Sequence, residues 1–346
     1  MIKRGRIGYI DVARAIAMFA IILGHVVPPE RHSIAHICFT FHVPLFFIVS
    51  GLLSHKYDWD TLIKKRFRSL IIPYLITSLI IILMVFVVRH SFLRIPGFAD
   101  RSVASWIMSA WFGSGSLTVF GIKPIGAIWF LLAMFFGLLF LNLIIDKKGR
   151  FIYATAVMLI AYAIAPHFWV PLSLLSAAAA TFFMLIGVKM KEIGIEKKIR
   201  WPIVLASFMI WLAVLIVTID SPKLFSIVEL SFTNLPLDII AAIAGTIVVF
   251  GISAFLDKYL KKLANFIKPF GEYSLIALCT HLIALGLIPW YNLFRFVGLA
   301  PKWYFALIGH VFWCVCWILI IRFFKFRKQY KKELAATHTA CEKAKK

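Results

Sequence analysis

The chain has 346 residues, of which 62 % are apolar and only 15 % charged, with a formal net charge of +23 and a mean hydropathy of +0.91. Soluble domains average about 25 % charged residues, so this balance excludes a water-soluble enzyme and defines an integral membrane protein. Apolar stretches far longer than the roughly 10 residues of a barrel strand, and without alternation, exclude a β-barrel.

The expected fold is all-α: a polytopic integral membrane protein with about ten transmembrane helices. They are placed near residues 9–27, 34–53, 70–88, 125–145, 151–165, 172–190, 201–219, 235–256, 273–291 and 304–324, the fifth being the shortest. The basic start "MIKRGR" imitates a signal peptide, but Asp11 and Arg14 interrupt the apolar run and no small-x-small cleavage site comes after it, so the segment is expected to be retained.

The first span, "YIDVARAIAMFAIILGH" (9–25), carries three ionisable groups in apolar surroundings. Charged residues inside spanning helices cost at least about 2.5 kcal/mol each, so pairing or function is the default expectation. Arg14 and His25 lie three turns plus about 20° apart, which puts them on one face. Asp11, one turn before Arg14, is placed to pair with it. The expected result is a charge pair at the mouth of the helix and an imidazole deep along the same face.

The second span contains "FTFHVPLFFIVSG" and runs the opposite way, which brings His42 to nearly the depth of His25. Pro44 removes a backbone donor beside it and frees the carbonyl of residue 40. The next connection, "LIKKRFRSLIIPY", holds Lys64, Lys65, Arg66 and Arg68. Any inner loop carries such residues, but this cluster abuts the mouth where Asp11 and Arg14 emerge, and it suits a phosphate-rich ligand.

The longest connection, 89–123, reads as a loop with an interfacial helix. Trp106 and Trp111 within it, and Trp129 beyond, suit an interfacial aromatic belt better than a sugar platform. Late in the chain "GEYSLIALCTH" brings Glu272, read as a helix-start carboxylate, and His281, a third intramembrane imidazole. His310 and Asp238 also lie in or beside apolar runs, with no local signal of a role. The five cysteines are read as buried apolar thiols, and neither a disulfide framework nor a metal site is expected.

Of the 38 Lys and Arg residues, 29 fall in the termini and alternate connections that face inward if the N-terminus is cytoplasmic. This excess places both termini in the cytoplasm. The tail 327–346 is read as a basic cytoplasmic appendage lying against anionic lipid, and 1–326 as the transmembrane domain. The charge therefore calls for no nucleic acid. Walker-type and dinucleotide glycine fingerprints are missing from the sequence, so a nucleotide would be held by side chains.

Together "YIDVARAIAMFAIILGH", "FHVPLFFIVSG", "KKRFRSLIIPY", "IWFL" (128–131) and "GEYSLIALCTH" resemble the ordered signature of the acyltransferase-3 family of integral membrane acyltransferases. The length, with "FHVPLFF" and "RSLIIPY", is most similar to the stand-alone fucose-4-O-acetylase-like branch. The resemblance implies acyl transfer, usually of acetyl from cytoplasmic acetyl-CoA, to a hydroxyl of a sugar or cell-envelope glycan, in the cell's inner (cytoplasmic) membrane. Acetyl-CoA would be a co-substrate, with no permanently bound cofactor. By motif the family's functional positions fall on Asp11, Arg14 and His25, with Lys65, Arg66 and Arg68 at the donor side and His281 at the late histidine. His25 is then expected as general base on the acceptor hydroxyl. His42 or His281 would orient it or stabilise the oxyanion, and a route through an acyl-histidine stays open. The competing reading is a transporter or flippase for an envelope glycan or its precursor; a third is a non-catalytic scaffold.

Overall fold

A computed structural model of the chain describes residues 7–90, 101–296, 298, 300 and 302–344. The described residues form α-helices and short helical turns with no named strand; only two isolated bridges, Val119 with Ile122 and Ser226 with Ser231, pair backbone in β fashion. In chain order the helices are α1 (Gly8–Val26), α2 (His32–Leu52), α3 (Trp59–Arg66), α4 (Ile72–His90), α5 (Val103–Phe112), α6 (Trp129–Ile144), α7 (Arg150–Ile164), α8 (Leu174–Glu192), α9 (Ile195–Lys198), α10 (Trp201–Thr218), α11 (Leu237–Tyr259), α12 (Lys261–Glu272), α13 (Ser274–Leu287), α14 (Trp290–Phe296) and α15 (Trp303–Ala344). Each of the ten expected stretches holds an apolar helix. Among the described residues seven spans are long and apolar enough to cross a bilayer, and α13 with α14 makes an eighth across a 68° bend. Helices α6 and α7 are shorter, at 16 and 15 residues. The chain is thus an all-α polytopic membrane protein.

Three local features differ from the expected elements. The basic stretch expected as a loop is helical: Asp58 caps α3 by accepting from the Thr61 amide at 3.1 Å, and a π turn, Phe67–Ile71, joins α3 to α4. The last lysines and arginine of α3 sit at its C-terminal end, where cations favour the helix dipole. The expected span 273–291 is broken, because Pro289 forces the preceding Ile288 into an extended conformation (φ −102°, ψ 108°) and ends α13. Finally, the backbone of α15 runs on as helix to Ala344, through most of the basic tail. In the long connection α5 supplies the expected short helix, while 91–100 lie outside the described residues, as do 1–6 with their three basic side chains.

The core sits around α1, α2 and α8, whose apolar windows are 61 %, 67 % and 72 % buried, against 28 % for α10 and α15. Helix–helix packing in lipid depends on close approach rather than on water exclusion, so small residues mark the tightest seams. Gly51 of α2 and Gly187 of α8 form such a seam reciprocally. A Cβ at Gly51 would lie 1.7 Å from the Met184 carbonyl oxygen, and one at Gly187 would lie 1.9 Å from that of Ile48. Ala177, Ala179 and Ala180 continue the small face of α8 at 0 % exposure. Gly271, near the end of α12, does the same against the Asp11 carbonyl, which fixes the first turns of α1 to that helix. Asp238 is a local structural group, accepting from the Asn234 amide at 2.8 Å. The described cysteines, Cys38, Cys279, Cys314 and Cys316, are free thiols.

Candidate functional site

The site is built along α1. At its N-terminal end Asp11, 5 % exposed, lies 3.9 Å from Arg14. Arg14 and Arg66 both line a cavity of about 180 Å³ that runs between α1, α2, α6 and α13 past Ser50 and Phe46. Arg66 turns inward because α3 ends there and the π turn shifts the register of α4 relative to α3; π segments of this kind often accompany functional sites. Its Nε is buried with no hydrogen-bond partner among the described residues. Lys64, Lys65 and Arg68 are exposed. Lys64 pairs with Asp60 at 2.7 Å, and Lys65 donates to the Tyr57 hydroxyl at 3.3 Å. The structure therefore divides the basic cluster: Arg66 enters the cavity with Arg14, and Lys65 and Arg68 remain outside at the same end of the bundle.

Tyr57 is held by a side chain that the sequence did not single out. Asn142 of α6 accepts from the Tyr57 amide at 3.0 Å and donates to its carbonyl at 3.2 Å, clamping the loop between α2 and α3. The Tyr57 ring then lies 5.8 Å from the Arg66 guanidinium and 5.0 Å from the Lys65 ammonium, distances at which a ring face attracts a cation.

The cavity ends at Ile21 and Leu278. One turn further along these helices stand His25 and His281, whose ring centroids are 5.7 Å apart. His25 occupies the last turn of α1, which Pro28 and Pro29 terminate. Its Nδ1 lies 2.7 Å from the Ile21 carbonyl. A carbonyl only accepts, so Nδ1 carries the proton and the neutral ring keeps its lone pair on Nε2. His281 is wholly buried, and His310 of α15 lies 4.9 Å beyond it. Three helices thus contribute one imidazole each. His42 joins less directly: its Nδ1 is 2.5 Å from the Cys38 carbonyl, and the Phe39 ring stands 4.9 Å from His42 and 6.2 Å from His25.

Beyond the imidazoles a second cavity, of about 310 Å³, opens at the C-terminal end of α1, lined by His25, His310, Trp290, Tyr291 and Asn292. It lies at the break between α13 and α14, where Ile288, Pro289 and Trp290 line it. One cavity thus reaches two arginines and stops a helical turn short of His25, and the other, lined by His25 and His310, lies toward the opposite end of α1. Among the described residues no group of three or more His, Cys, Asp or Glu could hold a metal ion.

Of the tryptophans weighed as sugar platforms, Trp106 is 2 % and Trp129 7 % exposed. Arg101 covers Trp106 at 3.9 Å and donates to the Pro124 carbonyl, which ties the long connection together. Trp111 is 67 % exposed, as an interfacial residue would be. The side chains to which sequence reasoning gave no role are His310, Trp290, Asn292, Tyr57 and Asn142. His310 was noted only as an ionisable group in an apolar run; the others acquire meaning only from the packing of distant helices.

A polytopic helical bundle with a cationic pocket toward one end of α1 and a cluster of imidazoles at the other, His25 exposed and His281 and His310 buried, is suited to group transfer. The family comparison agrees: the model of the acyltransferase domain family Acyl_transf_3 matches residues 7–321, and the chain belongs to that family. No curated protein and no solved structure matches it.

Proposed function

We propose that this membrane acyltransferase moves an acetyl group from cytoplasmic acetyl-CoA to a hydroxyl of a sugar or cell-envelope glycan. The observation that carries this reading is the position of His25, whose free Nε2 belongs to the last turn before the larger cavity while Ile21, one turn back, closes the smaller one. The narrow cavity suits a pantetheine arm, with the phosphates of the donor anchored by Arg14, Arg66, Lys65 and Arg68. Asp11 holds Arg14 in place. The thioester then arrives beside His25, and the acceptor comes from the other side.

His25 Nε2 takes the proton of the acceptor hydroxyl as its oxygen attacks the thioester carbonyl. Collapse of the tetrahedral intermediate forms the ester, breaks the C–S bond and returns that proton to the thiolate of CoA. His281 lies against His25 on the buried side, where it orients the ring or meets the oxyanion; His42 contributes through Phe39 packing. A neutral imidazole with its lone pair held on a defined nitrogen suits general-base catalysis. Positive-inside charge supports a cytoplasmic Arg14 end and an inner-membrane location. The motifs "FHVPLFF" and "RSLIIPY" support the fucose-4-O-acetylase-like branch.

The test is free-CoA release by purified protein in nanodiscs, with and without a mixed envelope-glycan extract. Release that needs the extract and is lost in His25→Ala supports acyl transfer. Binding and movement of glycan with no acetyl-CoA turnover would replace it with the transporter reading.

A further inference from the structure

Helix α12 is sharply two-sided. Lys261, Asn265, Lys268 and Glu272 recur at helical spacing on one face, and Leu263, Phe266, Ile267 and Phe270 on the other. Gly271, on a third flank, rests against the Asp11 carbonyl of α1. The apolar face stays largely open, with Phe266 82 % and Leu263 48 % exposed. A helix of this pattern lies in a membrane interface with its apolar face toward the acyl chains.

Between α12, α1 and α15 runs a cavity of about 610 Å³, larger than the two already described. Ile16 and Phe19 reach it from α1. They stand roughly 200° and 140° round that helix from Arg14, so the groove lies off the face shared by Arg14 and His25. From α15 come Val311, Val315, Ile318, Leu319 and Arg322, one stripe at helical spacing. The lining is apolar but for Asn265 and Arg322. Because Phe19, Phe266 and Leu319 are exposed, the groove opens at the surface of the bundle, where lipid chains are the solvent. Arg322 ends the stripe close to the end of the apolar stretch Trp303–Arg327, and a charge there is held at headgroup level. Lys325 stands one turn further along α15, and Lys261 and Lys262 one turn before Asn265 on α12, all three exposed. Lys268, by contrast, is already paired with Asp257 at 2.5 Å. Cations from two helices at the polar end of an apolar groove match a headgroup of net negative charge.

We propose that this groove binds one anionic phospholipid, with an acyl chain along the α15 stripe and its phosphate at Arg322 and Asn265. The lipid fills the seam between α1 and α15, the helices that carry His25 and His310, and props α15, whose apolar window is only 28 % buried, against the core. The site stands on the groove and its cations alone and is independent of the acyl-transfer reading.

The test measures binding. The full chain, stripped of lipid in a neutral detergent, is titrated with phosphatidylglycerol or with phosphatidylcholine of the same chains; bound lipid is counted by native mass spectrometry and the unfolding temperature is followed. Wild type is expected to hold one phosphatidylglycerol about tenfold more tightly than phosphatidylcholine, and to unfold at a higher temperature with the first than with the second. Arg322→Gln should cut the preference to within about threefold and remove the difference in unfolding temperature. Lys148→Gln, at an exposed cation outside the groove, should leave both as in wild type. Val315→Trp and Leu319→Trp, in the open wall of the groove, should each weaken binding of both lipids. Equal affinity for the two lipids in wild type overturns the proposal, and so does a preference that survives Arg322→Gln or falls equally in Lys148→Gln. Phosphatidylglycerol held at wild-type strength by both Trp variants would put the lipid outside this groove and overturn it too.

Discussion

At the scale of single residues the account depends on His25 and Arg66. Replacing His25 by Ala or Gln removes the base and is expected to lower kcat about 10²–10⁴-fold, with CoA affinity retained, as read from single-turnover kinetics and CoA binding. A variant that keeps wild-type turnover would remove His25 from the chemistry. The two arginines of "RFR" are expected to behave unequally. Arg66→Ala, at the buried cavity, should raise the KM of acetyl-CoA about tenfold, because a lost charge-assisted contact costs roughly 1.5–3 kcal/mol. Arg68→Ala, at an exposed position, should change it by no more than about threefold, in line with the small worth of surface pairs. Equal effects would show that the donor phosphates lie outside the cavity. Sequence alone could mark both arginines as candidates but could not tell them apart, because the π turn that separates them leaves no trace in residue type. His25 was legible because an imidazole in an apolar run at helical spacing from Arg14 has few ordinary explanations; His310 met the first condition and lacked a spacing partner on its own helix.

At the scale of elements the α2–α8 seam holds the core that carries α1. The Met184 carbonyl oxygen lies where a Gly51 Cβ would be built, and backbone cannot move aside as a side chain can. Gly51→Ala is expected to cost about 1–3 kcal/mol and to lower the unfolding temperature in detergent. Gly137→Ala meets the flexible end of Met184 at 3.0 Å and should cost less. Equal stability for both variants would mean that the seam yields. The hydrophobic runs located every apolar helix, since length and composition suffice for that. They could not show that Pro289 would break the ninth stretch, because a proline inside an apolar run is equally compatible with a kinked span, as Pro44 in the unbroken α2 demonstrates.

At the scale of the whole molecule the claim is vectorial: donor from the cytoplasm, acceptor from the opposite face. Charge asymmetry favours an inner position for the α6–α7 turn and an outer one for the loop around Phe120. In a cysteine-free background, Lys148→Cys is expected to react with a membrane-impermeant maleimide only from the cytoplasmic side, and Phe120→Cys only from the other. The reverse pattern would put the arginines on the wrong side for cytoplasmic acetyl-CoA. The most direct test of the central claim uses sealed proteoliposomes with acetyl-labelled acetyl-CoA supplied on the Arg14 side and glycan extract enclosed on the other. The account predicts label in the glycan, one free CoA for each acetyl group transferred, and neither product with His25→Ala. Label that stays in acetyl-CoA while glycan crosses the membrane would contradict it.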